Sequence, residues 1–468
     1  MNDKRFFKTS LMTIAIQSLL YVLVIVIFFA LLSITNPAMI NISRTAAITA
    51  TLFVVVLLIL TLVYGGLDIN TKKRRTVVSS ISISTFFTDV LTYLLLQIMN
   101  VNPQNPEANT HLILVSEDLL LLVCAMVIQF AVIYGLTTLT YYYYYLINPP
   151  ENCIIITSTQ ELGNQVYKKL KPYFKRYKIN EIVHYSCKDI KKTIQDNQAI
   201  FLAGIPDTEE ASLESYCYKH NKSIYLMAEL EDVIISSATQ NIFDDMPFLN
   251  IHRTQPTLLQ LIGKRIIDIL CSAIGLIITS PIILIVSIII KLSDDAPIFF
   301  IQKRATRNGK IFNIIKFRTM YFDTKSNYKQ TSATEDDSRI TPIGKFLRKY
   351  RIDELPQLLN VLKGDMSVVG PRPEMLENVD RYTREVPEFR YRQQMKAGIT
   401  GLAQIEGKYN TSPKEKVILD LLYIENFSLS YDLKLILRTL TIFFRRDSTE
   451  PFKVEKKEEL LPMRILPN

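Results

Sequence analysis

The sequence predicts a membrane protein in three parts: an N-terminal four-helix transmembrane bundle (residues 1–148), a central Rossmann-like α/β domain (149–255), and a C-terminal, mainly α domain (256–468) with a re-entrant membrane helix at 264–292. Three observations carry this. Four apolar stretches of bilayer-spanning length fill the first third. β-rich runs alternate with helical spacing in the middle. A fifth apolar stretch, interrupted by Ser280-Pro281, opens the last part.

The four stretches run from Leu11 to Ile34, Ala46 to Tyr64, Ile81 to Met99 and Leu119 to Leu139. Each approaches the ~20 residues that cross ~30 Å of hydrocarbon, and the first is too long for a cleaved signal peptide. Lys4, Arg5 and Lys8 precede the first stretch and Lys72, Lys73, Arg74 and Arg75 separate the second from the third, whereas the other two short loops hold only Arg44. That asymmetry predicts cytoplasmic termini. The run Tyr141 to Tyr145 falls where amphipathic rings settle at a bilayer interface. Asp89, inside the third stretch, reads either as part of a polar pathway or as a packing residue facing the bundle interior.

A net charge of +9, from 54 Lys and Arg against 45 Asp and Glu, suits an anionic lipid surface or a phosphorylated substrate, and no nucleic-acid partner is expected. Cys124, Cys153, Cys187, Cys217 and Cys271 are scattered without a CxxC pair, and the four histidines show no ligand spacing, so neither disulfides nor zinc are expected.

After Pro149-Pro150, strand-like runs at Ile154 to Thr157, Glu181 to Tyr185, Ala199 to Gly204 and Ser223 to Ala228 alternate with helical segments, which predicts a doubly wound parallel sheet. The turn after the first run, Thr157-Ser158-Thr159-Gln160-Glu161-Leu162-Gly163, offers one glycine where a dinucleotide fingerprint needs about three, so the domain reads as structural or regulatory.

The fifth apolar stretch, Ile266 to Ile290, is long enough to span. Pro281 removes a helix donor at its middle, Ser280 can hydrogen-bond the freed backbone, and positive residues flank both ends (Lys264 and Arg265, then Lys291). These features predict a bend and a return to the cytoplasmic face, which keeps the following domain inside the cell.

That domain is dense in phosphate-handling residues: Gln302, Arg304, Arg307 and Lys310, then Lys316 and Arg318, then Asp336, Asp337 and Arg339. A string from Arg348 through Asp353-Glu354-Leu355-Pro356-Gln357-Leu358 to Gly370-Pro371-Arg372-Pro373 follows. Chemistry at phosphorus needs an in-line nucleophile, neutralisation of the non-bridging oxygens and usually a divalent cation. Asp353 is the candidate nucleophile, Glu354 the candidate Mg²⁺ ligand, and Lys316, Arg318, Arg348 and Arg372 the candidate clamps, with Pro371 and Pro373 restricting the backbone that presents Arg372. Read alone, an Asp-Glu pair is also a common charge pair at a helix N-terminus.

These strings, together with Lys396-Ala397-Gly398-Ile399-Thr400-Gly401-Leu402-Ala403-Gln404 and Tyr423 to Asp432, closely resemble the polyprenyl-phosphate sugar-phosphate transferases, the monotopic phosphoglycosyl transferases of bacterial polysaccharide synthesis. The resemblance covers roughly residues 261–444, and the overall layout is similar to the large members with four spans and a central α/β domain. It implies transfer of a sugar 1-phosphate from a UDP-sugar to undecaprenyl phosphate with release of UMP, as the first membrane step of capsular or exopolysaccharide synthesis. The multi-pass chain would sit in the bacterial plasma (inner) membrane among its lipids, with the catalytic domain on the cytoplasmic face; a homo-oligomer is compatible. By position it implies Asp353 as nucleophile, Glu354 as magnesium ligand, and Arg348, Arg372 and the surrounding Pro371 and Pro373 in substrate binding. Gln302, Arg304, Lys316 and Arg318 complete the expected substrate-binding set. Two departures concern loop shape: Thr306 stands where the family often has glycine, and Asp294-Asp295 replaces a small pair before Pro297. A non-catalytic assembly scaffold and a transporter or sensor built on the four spans are the rival readings. The charged tail after Phe444, Lys453 to Glu459, reads as a solvated end.

Overall fold

A computed structural model describes residues 3–36, 39, 41, 43–67, 69, 72–99, 117–253, 255–293, 296–321, 337, 339–407, 411–442 and 461–464. Two compact units divide the chain, one of residues 1–227 with 457–468 and one of residues 228–456.

In the first unit, the apolar stretches form helices α1 (Asp3–Leu32), α2 (Arg44–Tyr64), α3 (Arg74–Met99) and α4 (Glu117–Ile147), each long and apolar enough to cross a membrane. Leu20, Val24, Phe28, Phe53, Leu57, Ile81, Leu96 and Ile133 pack into one core between them, while Val22, Val55, Leu58 and Val127 stay on the outside. Such a reversal of soluble-protein exposure is what a lipid environment permits. Asp89 is fully buried, and Gln129 Nε2 bridges its Oδ1 (3.3 Å) to the Val24 carbonyl (3.0 Å), so this carboxyl joins α3, α4 and α1 at the bundle interior. At one end, Tyr141 donates to the Lys72 carbonyl (2.7 Å), and Lys72 Nζ caps the Tyr64 and Gly65 carbonyls that end α2 (3.1 Å each). The basic loop is thereby held against the tyrosine run.

The chain then winds through β1 (Glu151–Thr157), α5 (Gln160–Leu170), β2 (Tyr177–His184), α6 (Ile190–Asp196), β3 (Ala199–Ala203), α7 (Asp207–Lys219) and β4 (Ser223–Leu226). Strands 2-1-3-4 pair in parallel, and the buried run Cys153 to Ile156 on β1 is the continuous hydrophobic pattern of a strand covered on both faces. Gly163 serves packing: a Cβ there would lie 2.7 Å from Ile182 Cγ2, so only glycine lets α5 approach the sheet this closely.

In the second unit, α8 (Leu230–Ser236) and the antiparallel hairpin β5 (Thr239–Phe243) with β6 (Met246–Asn250) precede α9 (Leu258–Ser293). α9 runs unbroken through Pro281, and Ser280 Oγ donates to the Ile277 carbonyl (2.8 Å), the group that proline leaves without its helical donor. Its 36 residues correspond to about 54 Å, and the same domain meets it along most of that length. Gly263 faces Leu429, Lys264 reaches Asp432, Arg265 caps the Val361 and Leu362 carbonyls (2.7 Å each), Asp268 accepts from Ser367 Oγ and Val368 N–H (2.9 and 2.8 Å), and Gly275 faces Leu358. Further along, Val286 and Ile290 pack with Phe317 and Leu347. Ile277, Ile278, Leu284 and Ile285 point outward. Lys264, expected as a flanking charge at the membrane surface, is instead buried in an ion pair with Asp432 (2.6 Å).

Hairpin β7 (Phe299–Ala305) and β8 (Ile311–Phe317) follows, then α10 (Pro342–Lys349), a 3₁₀ turn at Ile352–Glu354, α11 (Gln357–Lys363), β9 (Ser367–Val369), α12 (Leu376–Glu385), β10 (Gly398–Thr400), α13 (Leu402–Glu406), α14 (Pro413–Glu425) and α15 (Leu429–Ile442). β9 and β10 pair in parallel around a close backbone crossing: a Cβ on Gly370 would lie 2.1 Å from the Lys396 carbonyl, and one on Gly398 2.1 Å from Gly370 N. Residues 461–464 return to the first unit, where β11 (Met463–Arg464) pairs in parallel with β2 and extends the sheet to the order 11-2-1-3-4. The charged tail residues 453–459, Asp294-Asp295 and Asp336 lie outside the described residues.

Candidate active site

Asp353 and Glu354 sit in the turn between α10 and α11. Arg351 enters that turn in the left-handed region (φ 54°), a conformation that costs a non-glycine residue of order 1 kcal/mol and that redirects the chain so the next residues face β8. Lys316 on β8 and Arg372 after β9 both reach Glu354 Oε1 at 2.9 Å. The other carboxylate oxygen of Glu354 takes no partner among the described residues, and neither oxygen of Asp353 does. One acid is clamped and its neighbour is not.

The electrostatics separate the pair further. Burial and the adjacent Glu354 charge push Asp353 up to about 6, against the pull of Lys316, Arg348 and Arg372. Burial works the same way on Glu354, but Arg372 and Lys316 outweigh it and hold that carboxyl well below the usual range. Both groups are therefore mainly carboxylates at neutral pH.

Arg304, Ile314, Lys316, Glu354, Gln357, Arg372, Pro373 and Gly398 line one cleft. Arg304 on β7 donates to Gln302 Oε1 (2.5 Å) and the Pro373 carbonyl (3.2 Å), while its buried Nε has no partner among the described residues. Burial lowers Arg304 only to about 10, so it stays charged, and an unpaired guanidinium donor at a cationic cleft suits a phosphate oxygen. Arg348 donates from Nε to Thr319 Oγ1 (2.8 Å) and acts on Asp353 through its charge. Arg318 is buried at the end of β8, its backbone N–H bonded to the Ile298 carbonyl (3.0 Å), and does not line the cleft. Of the expected set, Gln302, Arg304, Lys316, Glu354, Arg372 and Pro373 come together. Pro371 contributes through its carbonyl, which accepts from Gly398 N–H (2.9 Å).

Several contributors are not marked by the sequence. The Val369-to-Pro373 run is held carbonyl by carbonyl. Lys264 Nζ donates to Val369 O (2.9 Å), Arg392 Nη2 to Arg372 O (2.9 Å) and Arg304 to Pro373 O. Arg392 is itself paired with buried Asp420, and Lys264 with Asp432, whose other oxygen accepts from Tyr423 (2.7 Å). Removing one partner of such buried pairs costs about 3–5 kcal/mol. Two buried cations outside the cleft lining, Lys264 and Arg392, together with Arg304 of the cleft itself, thus fix the backbone that aims Arg372 at Glu354. Thr306, where glycine was the family norm, sits in extended backbone (φ −126°) and its hydroxyl accepts from Ala397 N–H (3.0 Å) and donates to Asp365 O (3.2 Å), so no glycine is required there.

A divalent cation needs oxygen ligands. Among the described residues no group of three or more His, Cys, Asp or Glu side chains gathers here. Two adjacent carboxylates, one with an oxygen left open, fit a hard cation that completes its shell with water and substrate phosphate, as Mg²⁺ does, and do not fit an all-protein cage.

Cationic side chains gather on an adjacent carboxylate pair, in a chain that has five helices apolar enough for lipid among the described residues. The chain belongs to the bacterial sugar transferase family, whose model matches residues 259–446. It is 41% identical over 180 residues to a UDP-N-acetylgalactosamine-undecaprenyl-phosphate N-acetylgalactosaminephosphotransferase of Aeromonas hydrophila, covering 38% of this chain and 42% of that protein. It is 38% identical over 190 residues to a UDP-glucose:undecaprenyl-phosphate glucose-1-phosphate transferase of Caulobacter vibrioides (40% and 71%), and 39% identical over 215 residues to one of Klebsiella pneumoniae (45% of each). In the first and third cases the match spans less than half of the relative's length.

Proposed function

We propose that this protein moves a sugar 1-phosphate from a UDP-sugar to undecaprenyl phosphate, releasing UMP, through a covalent aspartyl-phosphosugar intermediate. The observation that carries the reading is the division of labour at the dyad: Glu354 is ion-paired to Lys316 and Arg372, while Asp353 beside it has no hydrogen-bond partner among the described residues. The names of the relatives that share this region support the substrate classes.

In the first step an Asp353 carboxylate oxygen attacks the phosphorus that bears the sugar. The new O–P bond forms as the P–O bond to UMP breaks, and UMP leaves with the electron pair. In the second, an oxygen of the lipid phosphate attacks the same phosphorus and the Asp353 carboxylate departs, giving the diphosphate-linked sugar. Arg304, Lys316 and Arg372 neutralise the non-bridging oxygens, and the pinned Pro371-Arg372-Pro373 backbone keeps Arg372 in place through both displacements. Glu354 is the residue to hold Mg²⁺, which when bound supplies charge stabilisation to the departing phosphate.

α9 is read as re-entrant. A spanning helix whose domain lies on one side would run ~30 Å without touching that domain, but successive contacts along α9 leave no gap longer than that from Gly275 to Ile283, about 12 Å. With its outward isoleucines in lipid, α9 would hold the dyad at the headgroup level on the cytoplasmic face of the inner membrane, where a soluble nucleotide sugar meets a lipid phosphate. A cysteine placed at exposed Tyr350 is expected to resist a membrane-impermeant thiol reagent in intact cells and to react after lysis; labelling in intact cells would rule re-entry out.

The activity itself is tested by UMP release from a panel of UDP-sugars with Mg²⁺ and undecaprenyl phosphate. One or more sugars should support turnover that EDTA abolishes. Silence across the panel would contradict the proposal.

A further inference from the structure

The last described residues of the chain are held with a specificity that a solvated end does not need. We propose that the outer edge of β2, together with Gln160, is a binding site for an extended peptide, and that its occupant is the chain's own C-terminal segment around Leu461-Pro462-Met463-Arg464.

Four independent contacts carry this. Met463 and Arg464 pair with Ile182 and Val183 as a parallel strand, which covers the otherwise bare backbone edge of β2. On the far side of the segment, the Gln160 side chain takes the Leu461 carbonyl (Nε2 to O, 2.8 Å) and the Met463 N–H at its Oε1. A carbonyl and the N–H two residues on are the pair that a neighbouring parallel strand would engage, so one glutamine amide substitutes for the next strand of the sheet. Leu461 and Met463, two apart and therefore on one face, pack against the buried cluster of Cys153, Ile155, Tyr177 and Ile182 that α5 also covers. Arg464 points to the opposite face, where it meets Thr193 Oγ1 (2.6 Å) and Glu181 (3.2 Å). Backbone edge, apolar slots at alternate positions and a charged reader at the next position are the components of strand-addition recognition. The α/β domain, whose single-glycine turn does not provide a dinucleotide loop, thereby acquires a ligand of a different class.

The test uses the membrane-embedded chain in nanodiscs, intact and ending at residue 460, with a fluorescein-labelled peptide of residues 459–468 as probe. The shortened protein is expected to bind the peptide saturably. The intact chain should bind it at least about tenfold more weakly, because a tethered tail competes at high effective concentration. Gln160→Ala in the shortened protein should weaken binding about tenfold or more, from the loss of two hydrogen bonds at ~1 kcal/mol each. In the intact chain the same substitution should speed amide exchange at residues 177–184 and 461–464 and leave 199–203 unchanged. Absence of binding to a folded shortened protein, binding indifferent to Gln160→Ala, or unaltered exchange would overturn the site. Equal binding by the intact chain, or an intact dimer that becomes a monomer on shortening, would overturn the assignment of the chain's own tail as occupant.

Discussion

Replacing Asp353 with asparagine is expected to reduce UMP release by about 10⁴-fold or more while the protein remains folded. The magnitude follows from removing the attacking atom: Glu354, the adjacent carboxylate, is committed to Lys316 and Arg372. Folding should survive because the Asp353 carboxylate makes no hydrogen bond among the described residues, and because its buried charge, raised to about 6 by burial and by Glu354, is a cost to the fold that asparagine does not carry. A melting temperature for Asp353→Asn at neutral pH no lower than the parent's, beside the lost turnover, is the expected result. A residual rate within tenfold of the parent would remove Asp353 from the chemistry.

Arg372→Ala is expected to lower kcat/KM by about 10²–10³-fold, the effect of deleting one preorganised charge aimed at developing negative charge. Two losses combine. The guanidinium no longer meets substrate oxygens, and Glu354 loses the cation that most favours its ionised form, keeping Lys316 as its remaining ion-pair partner. Arg372→Lys should recover part of the charge but not the planar two-point geometry, so its activity should fall between parent and alanine. Its backbone should hold in either variant, since the Arg372 carbonyl is fixed by Arg392 and its neighbours by Lys264 and Arg304. Steady-state kinetics on the preferred sugar measure both.

How much of this was legible in the sequence depends on whether the signal is local. The spans, the parallel sheet and the adjacent Asp353-Glu354 pair each rest on a pattern within a few residues, whereas Lys316 and Arg372, 38 and 18 residues from Glu354, stand in basic strings of their own. Ser280 answering Pro281 at Ile277 is of the same kind. The supports of the Arg372 loop were not legible, because Lys264 lies 105 residues from the carbonyl it holds, and a lysine beside an apolar helix reads as a flanking charge until its buried partner Asp432 is known. Arg318, two residues from Lys316 in the same basic string, is buried at the end of β8 and is not among the residues lining the cleft, a placement that the string does not disclose. The C-terminal segment is a further case: the short pattern Leu-x-Met-Arg acquires meaning only against the edge of β2, nearly 300 residues away. Gly370 and Gly398 stood in strings of recognisable type, yet the 2.1 Å approach that demands them is a property of the β9–β10 crossing.

The claim on which the account rests is that Asp353 becomes covalently phosphorylated by the sugar-bearing phosphate. Incubating the purified chain with a UDP-sugar labelled with ³²P in the β-phosphate, in Mg²⁺ and without lipid phosphate, tests it most directly. The account predicts label retained on the denatured protein, mapped to the peptide containing Asp353, absent from Asp353→Asn and discharged when undecaprenyl phosphate is added. Full turnover on adding the lipid, with no labelled protein at any time before it and label passing directly from nucleotide to lipid, would contradict it.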